Sequence, residues 1–193
     1  MKKASITSAK FLMGLKGSHS ILENKMPKVA FIGRSNAGKS SLLNSLTNSK
    51  ELARTSKTPG RTQEINVFLI NETHYFMDLP GYGYAKVEGD TLHKLSKLIY
   101  WYLFDSGIKQ KIVLLIDSEI GPTSSDLEIL KELETTGQEI LIVLNKIDKI
   151  KKSLYHKQMS KLKLQLNGHK LFPYSSKTKE GQAELTTELL KVM

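Results

Sequence analysis

Eight consecutive residues, Gly33-Arg34-Ser35-Asn36-Ala37-Gly38-Lys39-Ser40, hold the groups needed to grip a chain of phosphates. Glycine lets successive backbone N–H groups turn inward toward an anion, and the spacing G-x-x-x-x-G-K-S is the phosphate-cradling P-loop. The helix beginning near Lys39 adds its positive end, Lys39 reaches the outer phosphates, and the Ser40 hydroxyl sits on a magnesium ion. The flanks agree. Lys28-Val29-Ala30-Phe31-Ile32 reads as a buried strand, and the leucines of Ser41-Leu42-Leu43-Asn44-Ser45-Leu46 recur at helical spacing. A glycine turn that merely precedes a helix is the alternative, and the strand before it argues for a nucleotide site instead.

Three further stretches could do chemistry beside it. The run His74-Tyr75-Phe76-Met77-Asp78 leads directly into Leu79-Pro80-Gly81. A carboxylate at the carboxyl end of such a strand is where a ligand to magnesium-bound water belongs, although an Asp-x-Pro-Gly turn has the same spelling. Glu139 to Leu144, an apolar run, enters Asn145-Lys146-Ile147-Asp148. The Asp148 carboxylate can accept from both N1–H and the 2-amino group of guanine. Adenine would leave it facing a lone pair, a penalty on the order of 1 to 3 kcal/mol. Lys170 to Tyr174 leads in the same way into Ser175-Ser176-Lys177.

The elements that must position these groups follow from periodicity. Strands are expected at 28–32, 65–70, 74–78, 111–117, 139–144 and 170–174, the second and third joined as a hairpin through Asn71-Glu72-Thr73. Helices are expected after the P-loop to about Asn48, over Thr91 to Phe104, Asp126 to Leu133, Leu154 to Leu166 with Ser153 as cap, and Glu180 to Val192. The fold class is α/β: an open, mostly parallel six-stranded sheet with one antiparallel strand and helices on both faces. Tyr100 and Trp101 are read as core, and Leu164 falls among lysines on its helical wheel without an explanation. Residues 1–27 read as an N-terminal extension whose Phe11, Leu12 and Leu15 pack on a single domain, 28–193. Glu51 to Glu64 is a polar loop of the length that is usually functional.

Bulk properties narrow the class. At 193 residues the chain can bury its own core, and with no cysteine it has neither a disulfide framework nor a thiolate metal site, so a reducing cytoplasm is the expected compartment. Neither a signal peptide nor a membrane anchor is expected. The formal charge is +10. Nearly all of the excess lies between Lys146 and Lys179, where ten lysines stand with one acid, Asp148. Such a field favours a polyanion such as RNA, while a merely solvated lysine surface is the plainer alternative.

In chain order, P-loop, Asp78-x-x-Gly81, Asn145-Lys146-x-Asp148 and Ser175-Ser176-Lys177 resemble the GTP-binding set of the Ras-like, translation-factor class of P-loop GTPases. Gly33 to Ser41, then Thr58-Pro59-Gly60-Arg61-Thr62-Gln63, then Asp78-Leu79-Pro80-Gly81-Tyr82-Gly83-Tyr84-Ala85, are similar to the EngB family, also called YsxC or YihA, from about Met26 onward. Asn145 stands where many members carry Thr.

The resemblance implies that Gly33 to Ser41 bind the phosphates and that Asn145 steadies the base. The stems of Lys146 and Lys177 flank the ring, and Ser175 and Ser176 complete the seat, with a Ser176 backbone N–H on the guanine oxygen. It assigns Thr62 as the switch threonine that joins Ser40 on magnesium, with Asp78 holding the ion through water and Gly81 among the nucleotide-binding residues; Thr58 is the competing threonine. Asn36 stands where such GTPases can bind potassium in place of an arginine finger. A role in large ribosomal subunit assembly and in cell division and septation is implied too. Regulation of division proteins without RNA contact is the competing function.

The position after Gly81 is Tyr82, where Ras-like enzymes have glutamine, so hydrolysis is expected to be slow, near or below the roughly 10⁻⁴ to 10⁻³ s⁻¹ of unassisted Ras, and stimulated by a partner. Lys39, Thr62 and Gly81 are the residues expected to carry it. The loops around Thr62 and from Gly81 to Glu88 are expected to order on the γ-phosphate, leaving Tyr82 and Tyr84 open to a partner. The expected ligands and partners are GTP or GDP, Mg²⁺, K⁺ as an optional ion at Asn36, and ribosomal RNA and protein; no membrane is expected, and the chain is read as a monomer.

Overall fold

The computed structural model describes residues 4–53, 64–83, 97–166 and 168–191. Seven strands form one sheet: β1 (Ala9–Leu15), β2 (Lys28–Gly33), β3 (Ile65–Ile70), β4 (His74–Asp78), β5 (Lys111–Asp117), β6 (Glu139–Asn145) and β7 (Lys170–Pro173), in the order β1-β3-β4-β2-β5-β6-β7. β3 alone runs antiparallel to its neighbours, β1 and β4; every other pairing is parallel. The β3–β4 hairpin turns on Asn71 and Glu72, both at positive φ, and Thr73 N–H closes it on Ile70 O at 3.0 Å. Two positive φ values give the turn the twist that antiparallel strands require.

The central strands are apolar throughout because both of their faces are covered. Along β5, Ile112, Leu114 and Ile116 pack on one side with Tyr102, Leu130, Leu133, Met159 and Leu162. Val113 and Leu115 pack on the other with Leu42, Leu43, Leu46, Leu185 and Leu189. Helices therefore cover both faces: α1 (Lys39–Leu46) and α4 (Gln182–Leu189) on one, α2 (Ser124–Glu134) and α3 (Tyr155–Gln165) on the other. The parallel strands end at one edge of the sheet, so the turns after Gly33, Asp78, Asp117 and Asn145 gather where open α/β sheets bind ligands.

Several local expectations change. The sheet has seven strands where the periodicity gave six, because Ala9–Leu15 pairs with β3. Its register shifts between Phe11 and Met13, and that irregularity together with Gly14 erases the alternation that identifies a strand. Ser153 does not cap α3. A 3₁₀ turn, Lys152–Leu154, leads into the helix, Leu154 takes the cap position with no side-chain bond, and Leu154 is exposed rather than packed. Tyr100 is 52% exposed and stacks on Phe104 with ring centroids 4.7 Å apart, so it is not core; Trp101 is half-buried against the core. Residues 97–100 are helical and continue into a π-helical segment, Trp101–Asp105.

Candidate functional site

The P-loop leaves β2 at Gly33 and enters α1 through Gly38, whose φ of 98° is left-handed. A Cβ there would lie 2.4 Å from Asn145 Nδ2, so both the backbone angle and the neighbour require glycine. No side chain caps α1, which leaves its first N–H groups facing the loop's concavity. Ala37 N–H bonds Arg34 O at 3.0 Å, fixing the curl. Lys39 and Asp78, 9% and 2% exposed, are bonded to each other across the gap between loop and strand end. Ser35 Oγ is buried there without a partner among the described residues, and Ser40 is half-buried beside Lys39 while Ser41 faces solvent.

The turn after β4 is stitched onto this loop. Ser35 N–H donates to Tyr82 O at 3.0 Å, and Tyr82 N–H donates to Gly33 O at 3.3 Å. Gly81 fits beneath: a Cβ would stand 3.3 Å from Ser35 N and Cα. The Tyr82 ring packs against the core, and its hydroxyl donates to Asp126 Oδ1 at 2.6 Å. Asp126, 2% exposed, also accepts from Thr123 N–H and Oγ1 at 2.8 Å each through Oδ2, closing the capping box of α2. Burial first, and the Asp126 charge second, push the Tyr82 phenol far above its ordinary pKa, so it stays a donor. The expectation that Tyr82 is open to a partner is thereby corrected: the packing of the 79–83 turn directs the phenol inward.

The other end of the site is organised by Asn145, 1% exposed. Its Nδ2 donates to Ala37 O at 3.0 Å, and its Oδ1 accepts from Ser176 Oγ at 3.0 Å and Ser176 N–H at 3.4 Å. Ser175 Oγ donates to Asp148 Oδ1 at 2.6 Å, orienting a carboxylate that is otherwise exposed. Lys146, at φ 67°, sends its ammonium to Asn36 O and Asp117 Oδ2, both at 2.7 Å. Lys177 is exposed beside them. Asn36, Gly38, Asn145, Lys146, Asp148, Ser175 and Ser176 are thus one connected structure.

Three participants were missed in the sequence. Asp117 ends β5 at the ligand edge, Ser118 follows it, and Ser118 Oγ donates to Asn145 O at 2.6 Å. The strand-end rule that singled out Asp78 would have found Asp117. Asp126 carried a visible signal as well, three residues after Thr123, but only as a helix cap. Thr62, Thr58, Arg61 and Tyr84 lie outside the described residues, as does the start of the helix expected from Thr91.

A strand, phosphate loop and helix at the centre of a mostly parallel sheet, with a carboxylate at the next strand's end and a guanine reader tied back to the loop, define a P-loop GTPase. Residues 28–146 match the family model described as 50S ribosome-binding GTPase. A probable GTP-binding protein EngB of Clostridium perfringens is 39% identical over 187 residues, 95% of each chain. This chain belongs to the EngB family of GTP-binding proteins, whose class hydrolyses GTP. Among solved structures, a probable GTP-binding protein engB superimposes with a TM-score of 0.66 at 24% identity, covering 82% of this chain and 94% of that one. The NFeoB of S. thermophilus bound to GDP·AlF₄⁻ and K⁺ does so at 0.61 and 24%, covering 85% and 61%.

Proposed function

We propose that the chain is a guanine-nucleotide switch with slow intrinsic hydrolysis that assists assembly of the large ribosomal subunit and supports normal division and septation. The observation that carries the nucleotide reading is the Asn145 joint. One buried amide bonds the P-loop at Ala37 and the Ser176 turn, so the base seat and the phosphate seat share a single support. The family model's description as a 50S ribosome-binding GTPase supports the ribosomal part, and the lysine excess after Asp148 is in keeping with it.

In this reading the amides of Asn36 to Ser40 and the flanking Gly33, Arg34, Ser35 and Ser41 hold the phosphates. Lys39 leaves Asp78 for the outer phosphates, and Asp148, Ser175, Ser176, Lys146 and Lys177 hold guanine. The donors fit Mg²⁺: Ser40 offers a hydroxyl, Asp78 a buried carboxylate, and Thr62 a second hydroxyl, hard oxygens of the kind magnesium takes beside nucleotide phosphates. Among the described residues no cluster of three His, Asp or Glu side chains could hold an ion unaided, which agrees with a metal carried in with the nucleotide. Bound Mg²⁺ supplies charge neutralisation at the phosphates.

Hydrolysis is slow because Tyr82 is committed to Asp126 and its phenol cannot aim a water at the γ-phosphate. Gly81 remains close to the loop. Asn36 is the residue for K⁺, the ion present in the NFeoB structure. GTP turnover measured in potassium and in sodium, with and without large-subunit particles, tests the proposal. Stimulation by potassium and by particles is expected; a fast rate indifferent to both refutes it.

A further inference from the structure

The stretch from Lys149 to Leu166 carries cations that the fold does not use. Lys151, Lys152, Lys157, Lys161 and Lys163 are exposed, and none meets a carboxylate among the described residues. Lys149 alone here has such a partner, Glu119 at 3.7 Å. The sequence contains no Asp or Glu between Asp148 and Glu180. For folding alone the arrangement is unfavourable. Lys151 and Lys152 precede the positive end of α3, whose first turn has no acid. Lys157 and Lys161 are like charges one turn apart, destabilising by roughly 0.2 to 0.5 kcal/mol.

We propose that α3 and the turn before it form a docking surface for the phosphate backbone of double-stranded RNA. The proposal rests on the ribosomal reading above and names the surface involved. Charge complementarity selects a polyanion, and the rest of the surface selects among polyanions. An amphipathic membrane helix needs a free apolar face, yet Met159, Leu162 and Leu166 are consumed in the core. Protein interfaces favour aromatics and Arg over Lys, and here there is no Arg and no exposed Phe, Tyr or Trp. Single-stranded RNA needs stacking platforms, which the same absence removes; His156 is held edge-on to Tyr155 at 5.9 Å. Duplex RNA is bound through shape and backbone and asks only for placed cations. Leu154 and Leu164, 50% and 81% exposed, are single apolar side chains ten positions apart that form no continuous patch, and they take no part.

The test titrates the full chain with an RNA duplex of about 16 base pairs, the span of a double-stranded RNA-binding module, over a range of salt. The triple variant Lys157→Gln, Lys161→Gln, Lys163→Gln is expected to lower the slope of log affinity against log salt by about 3, roughly one per phosphate contact. Its GDP affinity should stay within about twofold of the parent, since no residue of the nucleotide site is touched, and Leu164→Ala should leave RNA affinity unchanged. An unchanged slope overturns the surface. So does preference for a single strand or for phosphatidylglycerol vesicles, or a loss on Leu164→Ala larger than on the triple variant. Binding of large-subunit particles is measured in parallel. Particle binding that ignores the triple variant overturns this surface and leaves the ribosomal reading standing, whereas absence of all particle binding removes both.

Discussion

Replacing Tyr82 by Phe removes one oxygen and leaves Asp126 Oδ1 without its donor inside the protein. The 2.6 Å bond goes to an ionised acceptor that is 2% exposed, so its loss should cost about 1.5 to 3 kcal/mol. For a domain of this length each kcal/mol moves the melting temperature by about 2 to 4 °C, giving a fall of roughly 3 to 12 °C. The helix cap survives, because Thr123 bonds the other carboxylate oxygen. Tyr102 provides the control. Its hydroxyl is fully buried and has no partner among the described residues, so Tyr102→Phe removes an unsatisfied polar group and should be neutral or stabilising. Calorimetry on both variants, with far-ultraviolet circular dichroism to confirm unchanged helix content, reads the difference. Equal melting temperatures for the two variants would refute the reasoning.

Gly38→Ala meets both a left-handed φ and an amide nitrogen 2.4 Å away, so GDP titration should show at least tenfold weaker binding, with Asn145 displaced from Ala37 O. Stability should fall at both ends of the pH range. Burial lowers the His74 pKa, so that stability is present above about pH 6.5 and is lost as the unfolded chain takes up a proton below it. Glu188, held at about 2 by its bonds to Lys170 and Lys191, adds a second loss below about pH 4.5. Burial raises Tyr82, Tyr102 and Tyr174, whose stability is intact below pH 10 and lost above it, where only the unfolded chain ionises. Chemical denaturation across pH 2 to 11 checks all three; a flat profile contradicts the burial of His74 and the tyrosines and the bonds of Glu188.

The loops of the site were legible because each sits behind a short, mostly apolar run bounded by turn residues, which reads as a strand. The direction of a side chain was not legible. Tyr82 is aimed by Asp126, 44 positions later, and local spelling carries no trace of that pairing. Asp117 was readable as a strand residue yet not as a partner of Lys146, because that role depends on which strand lies beside β6. The edge strand at Ala9–Leu15 was hidden by its own register shift, and the cap of α3 by a turn that displaces Ser153. Apart from that edge strand, local pattern gave the element and tertiary neighbours set its detail.

The bond from Asn145 to Ala37 joins positions 108 apart, and Ser176 completes it from further still. On the ribosome, Ser176 follows Gly38 by about 140 residues, or roughly 7 to 28 s at about 5 to 20 residues per second. Throughout that interval the phosphate loop exists without its brace. Guanine-nucleotide capture therefore becomes available only once Ser176 has been made and folded back, which makes the nucleotide a reporter of the closed joint.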